Sequence, residues 1–167
     1  MADLTLKEKL QPSLLDRLTD REPENNRESR DRRVISENNL RECVIRDLGW
    51  LLNTAHMAAT EELDLFPSVS RSVLNYGVPD LAGVIASSMD TKLLERGLRE
   101  AITRFEPRIL AESLKIEVNL NKSATNHTAL SFRIEADLWA QPIPLNMFLR
   151  TEVDLGTGNI SIIDSGR

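Results

Sequence analysis

Residues 114–120 read Leu114-Lys115-Ile116-Glu117-Val118-Asn119-Leu120, an unbroken alternation of apolar and polar side chains. Successive side chains of an extended chain point to opposite faces, so this segment turns Leu114, Ile116, Val118 and Leu120 to a core and leaves Lys115, Glu117 and Asn119 in water. The same period recurs in Leu130, Phe132, Ile134, Ala136 and Leu138, interleaved with Ser131, Arg133, Glu135 and Asp137. After Pro142 and Pro144 a third segment sets Leu145, Met147, Leu149, Thr151, Val153 and Leu155 on one face, with Asn146, Arg150, Glu152 and Asp154 mostly filling the other. Gly156-Thr157-Gly158-Asn159 then makes a turn into a short fourth strand, Ile160 to Ile163. Clean alternation of this kind predicts an antiparallel meander covered on one face only.

The cover lies upstream, where the apolar period lengthens to that of a helix. Asp90 is placed to cap a helix bearing Leu94, Leu98, Ile102 and Phe105, widened by Leu93 and Ala101. Gly97 lowers its intrinsic propensity and permits close packing. Ser36 offers a cap for an earlier helix, with Leu40, Val44, Leu48, Leu51 and Leu52 at helical spacing through Asn53 and Cys43 beside the stripe. Two helices with one apolar face each need the same core, which makes the fold α+β: N-terminal helices packed on one face of a small antiparallel meander. Between Phe66 and Asp80 a compact connector contains Pro67, Gly77 and Pro79, with a helical turn expected at Ser70 to Leu74 and a positive φ at Gly77.

At the N-terminus, Pro12 to Leu18 reads as a short helix with Leu14, Leu15 and Leu18 on one side. Helices below about 12 residues are marginal in water, so it must dock on the domain or on a partner. Asp20 to Arg33 follows with five acidic and five basic residues, the balance of a linker rather than a nucleic-acid-binding arm. The expected division is an arm over 1–35 and a single α+β domain over 36–167.

A chain of 167 residues with 41% hydrophobic and 28% charged residues falls in the ordinary globular range. A net charge of -5 and 4% aromatic residues speak against a nucleic-acid binder, which needs basic clusters and stacking platforms. The same charge disfavours a hydrolase of the anionic cell wall. Cys43 is the one cysteine, so no internal disulfide forms, and the start of the chain shows no signal core. A cytoplasmic protein is therefore expected. No run approaches the roughly 18 apolar residues of a membrane span.

Between the second long helix and the first strand stands Glu106-Pro107-Arg108. Proline ends the helix and fixes the neighbouring carboxylate and guanidinium on a rigid elbow. Taken alone, such a pair is more commonly a local ion pair, contributing about 0–1 kcal/mol, than a binding site. Its planar fork nevertheless suits Arg108 to a partner's carboxylate or carbonyls. Catalysis finds little support: a cation beside Glu106 favours the charged carboxylate, whereas a general acid must hold its proton. Asp47, Glu61, Glu62 and Asp64 lie on polar segments as ordinary solvated carboxylates. His56 and His127 are far apart and read as exposed, without metal-ligand spacing to Cys43. No glycine-rich phosphate loop is present, so neither cofactor, metal nor small-molecule substrate is expected.

Four strings stand in a recognisable order: Ser13-Leu14-Leu15-Asp16-Arg17-Leu18; Ile45-Arg46-Asp47-Leu48 with Leu51-Leu52-Asn53-Thr54; Ser72-Val73-Leu74-Asn75-Tyr76-Gly77-Val78-Pro79-Asp80; and Phe105-Glu106-Pro107-Arg108. Together they resemble the baseplate wedge family of contractile phage tails, and more closely its type VI secretion counterparts, the TssE subunits. The resemblance covers most of the chain. It implies a structural part of a baseplate assembled near the inner membrane, touching other wedge subunits through Glu106, Pro107 and Arg108. It further implies that the sheet joins contractile sheath subunits by strand exchange, for which Leu145, Met147, Leu149, Thr151, Val153 and Leu155 of the third segment and Ile160 and Ile162 of the fourth are the candidates. The family carries an older lysozyme-like label, so peptidoglycan hydrolysis is the alternative.

Overall fold

The computed structural model describes residues 13–19, 24, 37–84, 89–122, 128–139 and 144–164. The elements are helices α1 (Leu14–Leu18), α2 (Glu37–Leu52), α3 (Pro67–Ser70) and α4 (Thr91–Phe105), followed by strands β1 (Lys115–Lys122), β2 (Thr128–Leu138), β3 (Leu145–Val153) and β4 (Ile160–Asp164). Four strands pair antiparallel in the order β1-β2-β3-β4, the expected meander. Most of the 20–33 linker, together with Pro12, Ser36 and His127, lies outside the described residues.

Register follows from the apolar period. Ile116 stands opposite Ile134, which stands opposite Leu149, so one face of three strands is continuous hydrocarbon. Thr151, fully buried on that face opposite Phe132, spends its hydroxyl on the Phe132 carbonyl at 3.0 Å. Over this face lie α2 and α4: Leu48, Leu51, Leu52, Leu98 and Ile102 share a core with Phe132, Ile134, Met147 and Leu149. Each such side chain contributes about 1.5–3 kcal/mol through its removal from water. Asp90 caps α4 as expected, its carboxylate accepting from Lys92 and Leu93 amides. Gly97 brings α4 close to Pro79, whose Cγ would lie 3.3 Å from an added Cβ.

Several expectations shift. The helical turn placed at Ser70 to Leu74 resolves into α3 and a separate 3-10 turn at Val73–Asn75, because Ser72 breaks the run and caps the second turn through Leu74 N. His56 is half-buried rather than exposed, since its amide pairs with the Val78 carbonyl and ties the end of α2 to the connector. Leu155 falls beyond β3, in the turn region. β3 itself is an interior strand: Leu149–Val153 pairs with β2 on one side and β4 on the other. Leu149, Thr151 and Val153 therefore have their main-chain partners within the chain, and the sheet ends at β1 and β4.

Helical side chains close parts of both edges. On β1 the Val118 amide donates to Glu95 of α4 at 3.1 Å, and Arg99 donates to the Leu114 carbonyl. On β4 the Asn53 carboxamide takes both outward groups of Ile160, donating to its carbonyl at 2.9 Å and accepting from its amide at 2.8 Å. Main-chain direction alternates along a strand, so Ile162 is the next β4 residue with amide and carbonyl turned outward.

Candidate functional site

Helix α4 ends because Pro107 has no amide to continue it. Glu106 closes the last turn with its amide on the Ile102 carbonyl at 2.9 Å, and the chain then runs beside the end of β2. There the Leu110 amide donates to Asp137 at 2.9 Å and the Trp139 amide to Arg108 at 2.7 Å. The elbow is thus sewn to both the helix and the sheet.

Its charged groups turn inward. Glu106 is only 3% exposed, whereas Pro107 faces solvent. Arg108 grips Glu106 with two donors, Nε to Oε1 at 2.7 Å and Nη2 to Oε2 at 2.5 Å, and Nη2 also meets Asp47 Oδ2 of α2 at 2.5 Å. Burial works against the guanidinium's charge, but Glu106 and Asp47 more than offset it and hold Arg108 deeper in its charged range. Nη1 of Arg108 is buried and finds no acceptor among the described residues. Glu106 and Arg108 thus differ from the weak surface ion pair that the tripeptide alone suggests: both are braced within the fold.

The series continues past Asp47. Its Oδ1 accepts from Arg46 Nε at 2.9 Å and Nη2 at 2.8 Å. Arg46 Nη1 in turn donates to Asp16 Oδ1 of α1 at 2.6 Å, and its guanidinium lies 5.1 Å from the ring centre of Trp50. Asp16 also accepts from Ser13 Oγ at 2.5 Å, and its side chain is 8% exposed. The Arg46 guanidinium holds the Asp16 carboxyl far below the usual carboxylate range against the opposing effect of burial, helped by Ser13 and Cys43. Burial, followed by the contact with Asp16, pushes the Cys43 thiol up, away from the thiolate form that nucleophilic cysteines use. Around the elbow, Tyr76 packs edge-on against Phe105 with ring centres 5.1 Å apart.

Sequence reasoning identified Glu106, Pro107 and Arg108 but treated Asp47 as solvated and gave Asp16 and Arg46 no role beyond the strings that contain them. Asp47 lies three residues after Val44 and four after Cys43, hence beside the buried stripe; that spacing was the available signal. Glu61, Glu62 and Asp64 are exposed in the connector, as expected. Leu145, Met147, Leu149, Thr151 and Val153 line the covered face of the sheet with Ile160 and Ile162, while Leu155 is half-buried in the turn. No cluster of three or more His, Cys, Asp or Glu able to hold a metal occurs among the described residues, and no helix there is long and apolar enough to cross a membrane.

Because Asp16 is ionised more easily in the folded chain than in the unfolded one, its contribution is present above the ordinary carboxylate range and is lost only as pH falls well below it. At about pH 4, where a free aspartate is half protonated, α1 is expected to stay docked in the parent chain. Exchange protection at the Thr19 amide, which bonds the Leu15 carbonyl, reads this; protection lost at that pH would show the Asp16 pairing to be too weak to hold the helix.

The chain belongs to the family described as baseplate wedge protein gp25, whose model matches residues 38–143. Members of this family are structural components of phage-tail-like baseplates. Among solved structures the chain is similar to a Geobacter sulfurreducens protein provisionally named a tail lysozyme, at 18% identity and a TM-score of 0.43, covering 72% of this chain and 96% of that one. At that distance the name carries nothing over. No curated protein matches the chain.

Proposed function

We propose that this protein is a non-enzymatic subunit of a type VI secretion baseplate, in the position of TssE, joining other wedge subunits to the first ring of the contractile sheath. Membership of the wedge family across residues 38–143 is the observation that carries the reading. In this reading the protein works in the cytoplasm, beside the inner membrane, with residues 1–35 as an arm on a wedge domain of 36–167. Glu106, Pro107 and Arg108 contact a neighbouring wedge subunit, with Pro107 as the exposed member and Arg108 reached through the 19% of its side chain that stays exposed. The sheath contact is a strand added at β4, where Ile162 has outward main-chain groups; β3 contributes the covered face that fixes register.

Against the hydrolase alternative, Glu106, Asp47 and Asp16 are each ion-paired. The open polar depression on the outer sheet face holds Glu152 and Asp154, but Asp154 is committed to the β3–β4 turn through Gly156 N and Thr157 Oγ1. Neither arrangement offers the acid and base that glycoside cleavage requires.

Recovery of the endogenous chain from its native cell should bring down sheath and wedge proteins, and the purified chain should leave peptidoglycan intact. Turnover of purified wall that vanishes in Glu106→Gln, with the fold retained, would establish the hydrolase instead.

The β4 contact has its own test. An edge amide that faces outward is dispensable to the fold, so Ile162→Pro should keep the β3–β4 ladder, whereas Ser161 pairs with Glu152 inside it. Ile162→Pro should abolish sheath assembly in cells while Ile162→Ala supports it, with melting temperatures within a few degrees of each other. Normal sheaths from a stable Ile162→Pro chain rule out strand addition at this edge.

A further inference from the structure

Helix α1 is docked the wrong way round for an amphipathic helix. Its acid, Asp16, faces the domain, while Leu14, Leu15 and Leu18 are 70%, 46% and 74% exposed. A helix of five residues cannot hold itself together, so its place depends on what Asp16 meets. That is Arg46, which is shared: Asp47 accepts from its Nε and Nη2, while Asp16 accepts from Nη1 at 2.6 Å and, more distantly, from the same Nη2 at 3.4 Å. Asp47 is in turn shared, between Arg46 through Oδ1 and Arg108 through Oδ2. Five charges of alternating sign, Glu106, Arg108, Asp47, Arg46 and Asp16, thus run from the elbow to α1, and among the described residues no hydrogen bond joins Arg108 to α1 directly.

We propose that this series is a latch, in which the engagement of Arg108 at the elbow sets how firmly α1 is docked. Arg108 draws on Asp47 and so leaves Arg46 to Asp16. A carboxylate from another chain that takes Arg108 returns Asp47 wholly to Arg46, where it competes with and repels Asp16. Alpha1 then loosens, and its three leucines become free to move with it into an apolar contact. Use of the latch in assembly rests on the baseplate reading; the coupling itself is a property of the isolated chain and is tested there.

Alternation of sign gives the test. Charges of the same sign as Arg46 should favour docking and those of the same sign as Asp16 should oppose it, at every step along the series. Hydrogen exchange of residues 13–19 is measured in absolute rate, in conditions where residues 94–102 of α4 stay protected in every variant, so that it reports local undocking of α1 and not global unfolding. Arg108→Gln should speed exchange in α1 about 5-fold, the low end of ordinary coupling between sites, although Arg108 bonds no residue of that helix. Asp47→Asn, whose amide oxygen still accepts from Arg46, should slow it roughly 3-fold for the same reason of coupled charge. If Arg108→Gln fails to fold because it strands the buried Glu106, the Glu106→Gln/Arg108→Gln chain reads the same quantity without that orphan charge and should also exchange faster. Opposite signs for the Arg108 and Asp47 changes support the latch. Any other pattern, including faster exchange in both or no change in either, overturns it whatever becomes of the baseplate reading.

Discussion

Arg108→Ala is expected to lower the stability of the isolated domain by about 3–5 kcal/mol, because it removes the one cation that, among the described residues, pairs with the buried Glu106 carboxylate. Glu106 is 3% exposed and takes both of its charged contacts from Arg108. For a domain of this size the loss corresponds to a fall in melting temperature of roughly 10 °C. Glu106→Ala should cost less, since Arg108 keeps Asp47 and retains some access to solvent, with a side chain 19% exposed. The double replacement should cost less than the sum of the two. A surface ion pair, the first expectation from the tripeptide, would instead give about 0–1 kcal/mol for either change. Thermal melts of the three variants decide between them, and a fall within 2 °C for Arg108→Ala would mean that Glu106 finds water or its own proton at little cost.

This bears on how partner contacts at the elbow are tested. A loss of assembly in an Arg108→Ala strain is ambiguous, because that variant is expected to be destabilised on its own. Pro107 is the exposed member, and substitutions there that preserve the melt separate a contact from a brace.

The alternation of residues 114–120, 130–138 and 145–153 was sufficient for the sheet, because a period of 2 with one covered face leaves one arrangement of inside and outside. Leu94, Leu98 and Ile102 announced α4 in the same way. What could not be seen was direction across space. Sequence spacing shows that Asp16 interrupts three leucines, but whether the leucines or the acid face the domain depends on Arg46, 30 residues away. Likewise a long alternating strand near the chain end suggested an edge, whereas the hairpin to β4 makes β3 interior. The elbow was recognised by its proline. Its burial was not, because Asp47 reaches it from α2 only in the folded chain.

Gly77→Ala is expected to be the most damaging of the single-methyl additions in the connector. Gly77 has φ +129°, where side chains are strained, and an added Cβ would stand 2.2 Å from the Thr54 carbonyl oxygen and 2.8 Å from the His56 nitrogen. Both are main-chain atoms held in place: Val78 N donates to that same Thr54 oxygen at 2.8 Å, and His56 N donates to Val78 O at 3.1 Å. These bonds form the parallel bridge between Ala55 and Val78 that ties the end of α2 to the connector. Relief of the clash therefore requires breaking the bridge, so strain and lost hydrogen bonds add, for a cost of about 3 kcal/mol or more. Gly83 provides the control, with φ +71° and nothing within 4 Å of an added Cβ. Gly83→Ala should cost only the backbone term, about 1–2 kcal/mol. Denaturant melts of both variants, with exchange at the Val78 amide as the local probe, test the argument: Gly77→Ala should lose protection there and Gly83→Ala should keep it. Equal losses in the two would mean that the bridge yields without cost and that the left-handed backbone alone explains glycine at position 77.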